Sequence, residues 1–300
     1  MFSMVKNRLY FYIFSILIII LSFAAIFTWK LNLGIDFSGG TIIEISAPGL
    51  TNKIEEIKKA GENAGIKFES VSTAGDNKLI ARTHNISTEE HNKLLDSIKT
   101  VDQNIVETSY QTIGPAVSRD ITKKAIWAVV VASIAIIIYI AYAFRKVPKP
   151  HSSWHFGLTA VAALIHDLIV TTGFVSIVGH YYSFMQVDAL FITALLTIMG
   201  FSVHDTIVVF DRLRENMIKN PGNSLETLAN DSILQTISRS INTSLTTILI
   251  LLTLYLLGGQ SISHFVLTLI IGITFGTYSS IFIATMLLVS WGNQESKVKS

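Results

Sequence analysis

The run ALFITALLTIMGFSVHDTIVVF, Ala189 to Phe210, decides how this chain is read. At about 1.5 Å per residue it is long enough to cross a hydrocarbon layer roughly 30 Å thick. Its single formal charge is Asp205. Five further apolar runs lie on either side: Leu9 to Phe27, Ala125 to Phe144, Leu158 to Val178, Ile241 to Leu257 and Phe265 to Ser290. Six membrane spans follow. The whole-chain composition agrees, with 50% hydrophobic and only 15% charged residues, where a soluble domain carries about a quarter charged.

Composition also removes several classes of function. A net charge of +2, without a basic stripe interleaved with aromatics, does not fit nucleic-acid binding. The chain has no cysteine, so disulfides, thiolate metal sites and cysteine nucleophiles are excluded together. The first run follows Lys6 and Arg8 like a secretory signal, but its length reads as an uncleaved anchor.

Orientation is read from Lys and Arg, which are retained on the cytoplasmic side in short loops. Lys6 and Arg8, then Arg145, Lys146 and Lys149, then Arg212, Arg214 and Lys219, and finally Lys297 and Lys299 all fall on one side. The opposite short loops, His180 to Val187 and Gly258 to His264, contain neither residue. Both termini are therefore expected in the cytoplasm. The expected division is an N-terminal segment with the first span (1–29), an extracytoplasmic domain (30–120), five more spans (121–292) and a cytoplasmic tail (293–300).

The outer domain has a legible element order. Thr41 to Ser46 alternates like a strand, Lys53 to Ala64 reads as a helix, and Lys67 to Thr73 and Leu79 to His84 read as strands around the turn-rich Ala74 to Asn77. Ser87 with Glu90 forms a capping-box pattern ahead of a second helix, and Asn104 to Thr112 closes as a strand. The order β-α-β-β-α-β predicts an α+β, ferredoxin-like domain beside the membrane bundle.

A charge inside lipid asks for a reason, since a central Asp or Arg costs about 2.5 to 3.5 kcal/mol on insertion scales. Asp167 lies near the middle of the third span, Asp205 roughly 10 Å from the cytoplasmic end of the fourth, and Arg239 at the opening of the fifth. A carboxyl that exchanges its proton is the minimum part for coupling to a proton gradient. Burial favours its neutral form and a nearby arginine favours the carboxylate. An arginine that approaches and withdraws would thus drive release and uptake. Each of these residues also has a plainer reading. Arg239 could snorkel to the interface, Asp205 and Asp167 could be buried hydrogen-bonding groups, and Asp211, Arg212, Arg214 and Glu215 read as a solvated, mutually paired helix end. Gly272 and Gly276 form a small-xxx-small face suited to close helix contact.

Three segments carry a resemblance. Leu33-Gly34-Ile35-Asp36-Phe37-Ser38-Gly39-Gly40 looks like the GIDFxGG signature shared by SecD and SecF proteins. His204-Asp205-Thr206 through Val208-Val209-Phe210-Asp211-Arg212-Leu213-Arg214-Glu215-Asn216 is similar to the SecF pattern of an Asp-Thr pair followed by VVFDRxREN. Ser238 to Thr247 resembles the fifth span of that family, and Ile113-Gly114-Pro115 its approach to the second. The resemblance to the SecF family extends along essentially the whole chain. His204 departs from it, standing where the family usually has asparagine, and so does Ser118, where glycine is common.

The resemblance implies an accessory, non-enzymatic subunit of the Sec protein-export translocase in the bacterial inner membrane. Such a subunit uses the proton motive force with a SecD-like subunit and the SecY channel complex to move unfolded polypeptide. It carries the proton-coupling role onto Asp205 and Arg239 and the family motif onto Gly34, Asp36, Gly39 and Gly40; Asp167, as a second intramembrane carboxyl, and His204, as an imidazole next to Asp205, join the proton-coupling candidates on their own chemistry. No cofactor or metal is implied. Three rival readings stand beside this one. A half-unit of an RND-type proton-coupled exporter of small molecules or lipids would normally show two six-span halves in one chain. A metal-dependent intramembrane hydrolase could be suggested by His166-Asp167 and His204-Asp205, but neighbours on a helix point about 100° apart. A passive scaffold would leave Asp205 and Arg239 unexplained.

Overall fold

The computed structural model of the 300-residue chain describes residues 4–73, 77–148, 152–182 and 184–298, without the side chains of 260, 261 and 293–298. The expected turn at Ala74, Gly75 and Asp76 lies outside the described residues, as do Lys149 and Lys299. In chain order the elements begin with α1 (Arg8–Trp29), α2 (Ile35–Ser38), β1 (Gly40–Ser46), a 3-10 turn, α3 (Ile54–Asn63), β2 (Phe68–Thr73), β3 (Lys78–Thr83), α4 (Thr88–Val101) and β4 (Val106–Ile113). The long helices α5 (Pro115–Ala143), α6 (Ser153–Tyr181), α7 (Ala189–Lys219) and α8 (Leu225–Leu257) follow. The last span is α9 (Gln260–Tyr278), a π-helical turn at Ser279–Ala284, and α10 (Thr285–Val298). Among the described residues six helices are long and apolar enough to cross a membrane, matching the six apolar runs.

Two compact units are present, one formed by residues 1–31, 127–185 and 190–300, the other by 32–126 and 186–189. Glycine and serine set the helix spacing in the first. Gly173 of α6 lies against Ser22 of α1, and Gly157 of α6 approaches the backbone carbonyl of Ile137 on α5. Small residues permit such approach where lipid supplies no hydrophobic drive between helices. An aromatic knot joins α5, α6 and α7. The rings of Phe144 and Phe156 stack with centroids 5.2 Å apart, and Phe210 meets Phe156 edge-on at 5.1 Å.

In the second unit the sheet order is β2-β3-β1-β4, antiparallel throughout. Alternation in β1 buries Ile43 and Ile45 on one face, where Leu50, Ile57, Leu94 and Ile98 from the turn and the two helices close over them. The capping box forms as the sequence indicated. Ser87 Oγ accepts from the Glu90 N–H, and the Glu90 carboxylate accepts from the Ser87 N–H at 2.8 Å. Pro115 opens α5, where the N–H that it lacks would have no helical partner.

One expectation needs correction. The fifth helix starts at Leu225, more than four turns before Ile241, with Ser224 as its cap. Arg239 therefore sits in the interior of a helix and does not open one. The fourth helix runs on past Phe210 to Lys219, and the paired helix end expected there forms, with Arg212 on Glu215, Arg214 on Asp211 and Lys219 on Glu215. Helical backbone also continues to Val298, through most of the expected tail.

Candidate intramembrane carboxylate site

Helix α7 places Ser202 and Asp205 one turn apart, and residues at that spacing share a face. Asp205 is 7% exposed. Its Oδ2 accepts from Ser244 Oγ of α8 at 3.3 Å, and Ser244 in turn accepts from Thr277 Oγ1 of α9 at 2.5 Å. A hydroxyl chain from two neighbouring helices thus ends on the carboxyl.

Asp167 of α6 is fully buried. Its Oδ2 accepts two hydrogen bonds, from Ser202 Oγ at 2.7 Å and Ser279 Oγ at 2.8 Å. Ser280 adds a third hydroxyl: it lies 3.1 Å from Ser202 Oγ and donates to the Ser202 carbonyl at 2.8 Å. In a regular α-helix adjacent serines diverge by about 100°. The π turn widens the helix here, and such turns gather at functional sites. His166 Nδ1 is 3.1 Å from Asp167 Oδ1, while its buried Nε2 has no hydrogen-bond partner among the described residues. Gly276 borders this cluster closely, since a Cβ there would lie 3.3 Å from Ser202 Cβ.

The two carboxyls therefore belong to one seam of hydroxyls along α7 and the last span. The sequence does not single out Ser202, Ser244, Thr277, Ser279 and Ser280 as site residues, although Ser244 lies in the Ser238 to Thr247 stretch that resembles the family's fifth span. A serine in an apolar helix reads as a backbone-bonded side chain unless its partner is known. His204 and Arg239 stand apart. His204 is exposed while Asp205 beside it is buried, and Arg239 is exposed on α8. Among the described residues no ion pair joins Arg239 to Asp205, and no three His, Asp or Glu side chains converge as metal ligands do.

The glycine motif lies in the second unit. Gly34 donates its N–H to the Val187 carbonyl at 2.8 Å, and Asp36 Oδ2 accepts from the Ala189 N–H at 2.8 Å. Gly39 and Gly40 have φ of +73° and +119°. A Cβ at Gly40 would sit 2.7 Å from the Thr83 carbonyl oxygen. The motif is thus a one-turn helix followed by two glycines at positive φ that lead into β1.

Comparison with known proteins places these features. Residues 93–294 match the family described as protein export membrane protein SecD/SecF, C-terminal, and residues 24–47 match the SecD/SecF GG motif. The chain is 44% identical to protein translocase subunit SecF of Thermobaculum terrenum, covering 98% of this chain and 95% of that one. To the SecF of Anaerolinea thermophila it is 38% identical, covering 98% and 96%. A crystal structure of SecDF from Thermus thermophilus, a translocon-associated membrane protein, superposes with a TM-score of 0.83 at 31% identity. That match covers 97% of this chain and 39% of the longer one.

Proposed function

The chain belongs to the SecD/SecF family of protein-export membrane proteins, and on that premise we propose that it acts as the SecF-type subunit of the Sec translocase, drawing on the proton gradient to promote polypeptide export. The relatives' names and near-complete coverage support a multi-pass inner-membrane protein serving Sec-associated export. A SecD-like partner is supported by the SecD/SecF family match and by the likeness to SecDF, of which this chain covers 39%. In this reading the SecY channel complex and an unfolded polypeptide complete the assembly. Both termini face the cytoplasm and residues of about 30 to 120 face outward, which the Lys and Arg asymmetry supports. We read the outer unit as ferredoxin-like; the β2-β3-β1-β4 order with antiparallel pairing supports it.

The observation that carries the proton reading is the buried Asp205 carboxyl at the end of the Thr277–Ser244 hydroxyl chain. Hydroxyls can either donate or accept, so such a chain can serve both the charged and the neutral carboxyl. Arg239 lies on the same helix as Ser244 but about 140° around it, at 100° per residue. In this reading α8 turns or slides so that the guanidinium alternately meets and leaves Asp205, with Asp167 and His204 as neighbouring titratable groups. One charge moved through 100 mV supplies about 2.3 kcal/mol, sufficient to shift a two-state equilibrium more than tenfold.

Export into inverted vesicles, with and without a proton gradient and at equal protein level, tests the reading. Asp205→Asn and Arg239→Ala should each reduce export to its gradient-free rate. Full gradient stimulation in Asp205→Asn vesicles would refute the coupling role. Because the chain has no cysteine, Asn85→Cys and Lys149→Cys report orientation: an impermeant outer reagent should label the first and not the second.

A further inference from the structure

Gln186–Ala189, directly ahead of the fourth span, packs within the same compact unit as the sheet, and four independent ties hold it there. Leu33 and Val187 pair as a parallel bridge, with the Gly34 N–H on the Val187 carbonyl and the Val187 N–H on the Asn32 carbonyl, both at 2.8 Å. Arg82 of β3 spans the seam. Its Nη1 donates to the Leu33 carbonyl and its Nη2 to Gln186 Oε1, each at 2.9 Å. Gly34 makes the approach possible, because a Cβ there would lie 2.8 Å from Asp188 Cβ. The fourth tie is Asp36, whose carboxylate accepts from the N–H of Ala189, the first residue of α7.

That last contact has a clear electrostatic sense. The first N–H groups of a helix lack intrahelical acceptors and carry the positive end of the helix dipole, so a carboxylate there is stabilising. We propose that Asp36 and Arg82 are positioning residues of a permanently closed joint, which fixes the first turn of α7 to the glycine-motif segment throughout the working cycle. The two backbone hydrogen bonds are seated on Gly34, where no side chain fits, and the exposed Asp36 and Arg82 contacts flank them. The helix that carries Asp205 between four and five turns further on thus begins inside the second unit.

The functional part of this inference rests on the proposed export role; the structural part does not. Hydrogen exchange at the Gly34 and Val187 amides, measured on the translocase complex in membrane vesicles, reads the joint directly. Both amides should stay protected with and without a gradient. Asp36→Asn retains an acceptor and should leave exchange and export near the unaltered values. Asp36→Ala should raise exchange at both amides by roughly tenfold and lower gradient-stimulated export, and Arg82→Lys, which loses the two-pronged bridge, should act in the same direction. A Leu33→Cys/Val187→Cys pair, oxidised to a disulfide, should leave export unchanged. Export stopped by the disulfide and restored by reductant would overturn the proposal, because the joint would then have to open. Wild-type exchange in Asp36→Ala would also overturn it. These exchange readouts hold whether or not Asp205 carries protons, so Asp205→Asn vesicles that keep full stimulation would sink the proton reading alone.

Discussion

Gly272 of the last span faces Ile198 of α7 so closely that a Cβ on the glycine would fall inside the isoleucine side chain. Gly272→Leu therefore cannot be absorbed without separating the helices that bear the hydroxyl seam. Overpacking of this kind costs about 1–3 kcal/mol. Thermal unfolding of the detergent-solubilised protein should show that loss. Ile198→Ala in the same chain should recover most of it; absence of recovery would mean that the two residues do not set the helix spacing.

Asp167 separates a structural from a chemical role. Asp167→Ala removes the acceptor of the Ser202 and Ser279 hydroxyls, and each buried polar group left unpaired costs about 1–3 kcal/mol. Asp167→Asn keeps a carbonyl oxygen for both hydroxyls and an amide for His166, so its melting temperature should stay close to the unaltered value. If Asp167 takes part in proton passage, the asparagine variant nonetheless loses gradient stimulation. Stimulation that survives assigns Asp167 to packing.

Gly40→Ala tests the motif's backbone. A φ of +119° is strained for any residue with a side chain, and the added Cβ would crowd the Thr83 carbonyl oxygen at 2.7 Å. Strain of this kind costs on the order of 1–3 kcal/mol. Limited proteolysis should cut the second unit faster in this variant. At Gly49, also at positive φ but with nothing within 4 Å of an added Cβ, Gly49→Ala should show a smaller effect.

Acid sensitivity of the second unit follows from Asp102. Lys53 Nζ holds its Oδ2 at 2.8 Å and the Asn104 N–H holds its Oδ1 at 2.9 Å, so its pKa lies below the ordinary aspartate value of about 3.9. The unfolded chain then takes up the proton first as pH falls. The stabilisation is complete above about pH 4 and fades as pH drops through the folded pKa. Proteolytic protection of the unit should fall more steeply below pH 4 in the unaltered chain than in Asp102→Asn, which should begin lower at neutral pH. Parallel curves for the two proteins would count against the pairing.

The sequence carried the elements well where a local pattern encoded them. Six apolar runs, the alternation of Thr41 to Ser46 and the Ser87–Glu90 box are each complete within a few residues. The start of α8 escaped because residues 225–240 mix Glu226, Asn230, Asp231, Gln235 and Arg239 among apolar positions, so hydropathy showed no helix there although one forms. Asp205 and Asp167 stood out because charge in lipid is costly. Their hydroxyl partners did not, since nothing local tells Ser202 that its acceptor lies on α6 or that Ser279 and Ser280 occupy a widened turn. The Leu33–Val187 pairing joins segments more than 150 residues apart, and no window along the chain contains both.

The widened turn at Ser279–Ala284 also makes the place of a length change matter in the last span. A π turn takes up one extra residue while the helix on either side stays in register. Deleting one residue within it would restore regular winding and leave Thr285, Met286, Leu288 and Val289, all buried now, in their sockets. The same deletion in the regular helix of α9 would turn everything beyond it by about 100°. The segment is keyed by residue count as well as by residue type: a deletion inside the turn should cost the placing of Ser279 and Ser280 against Asp167 and Ser202, and one outside it the packing of the whole helix end.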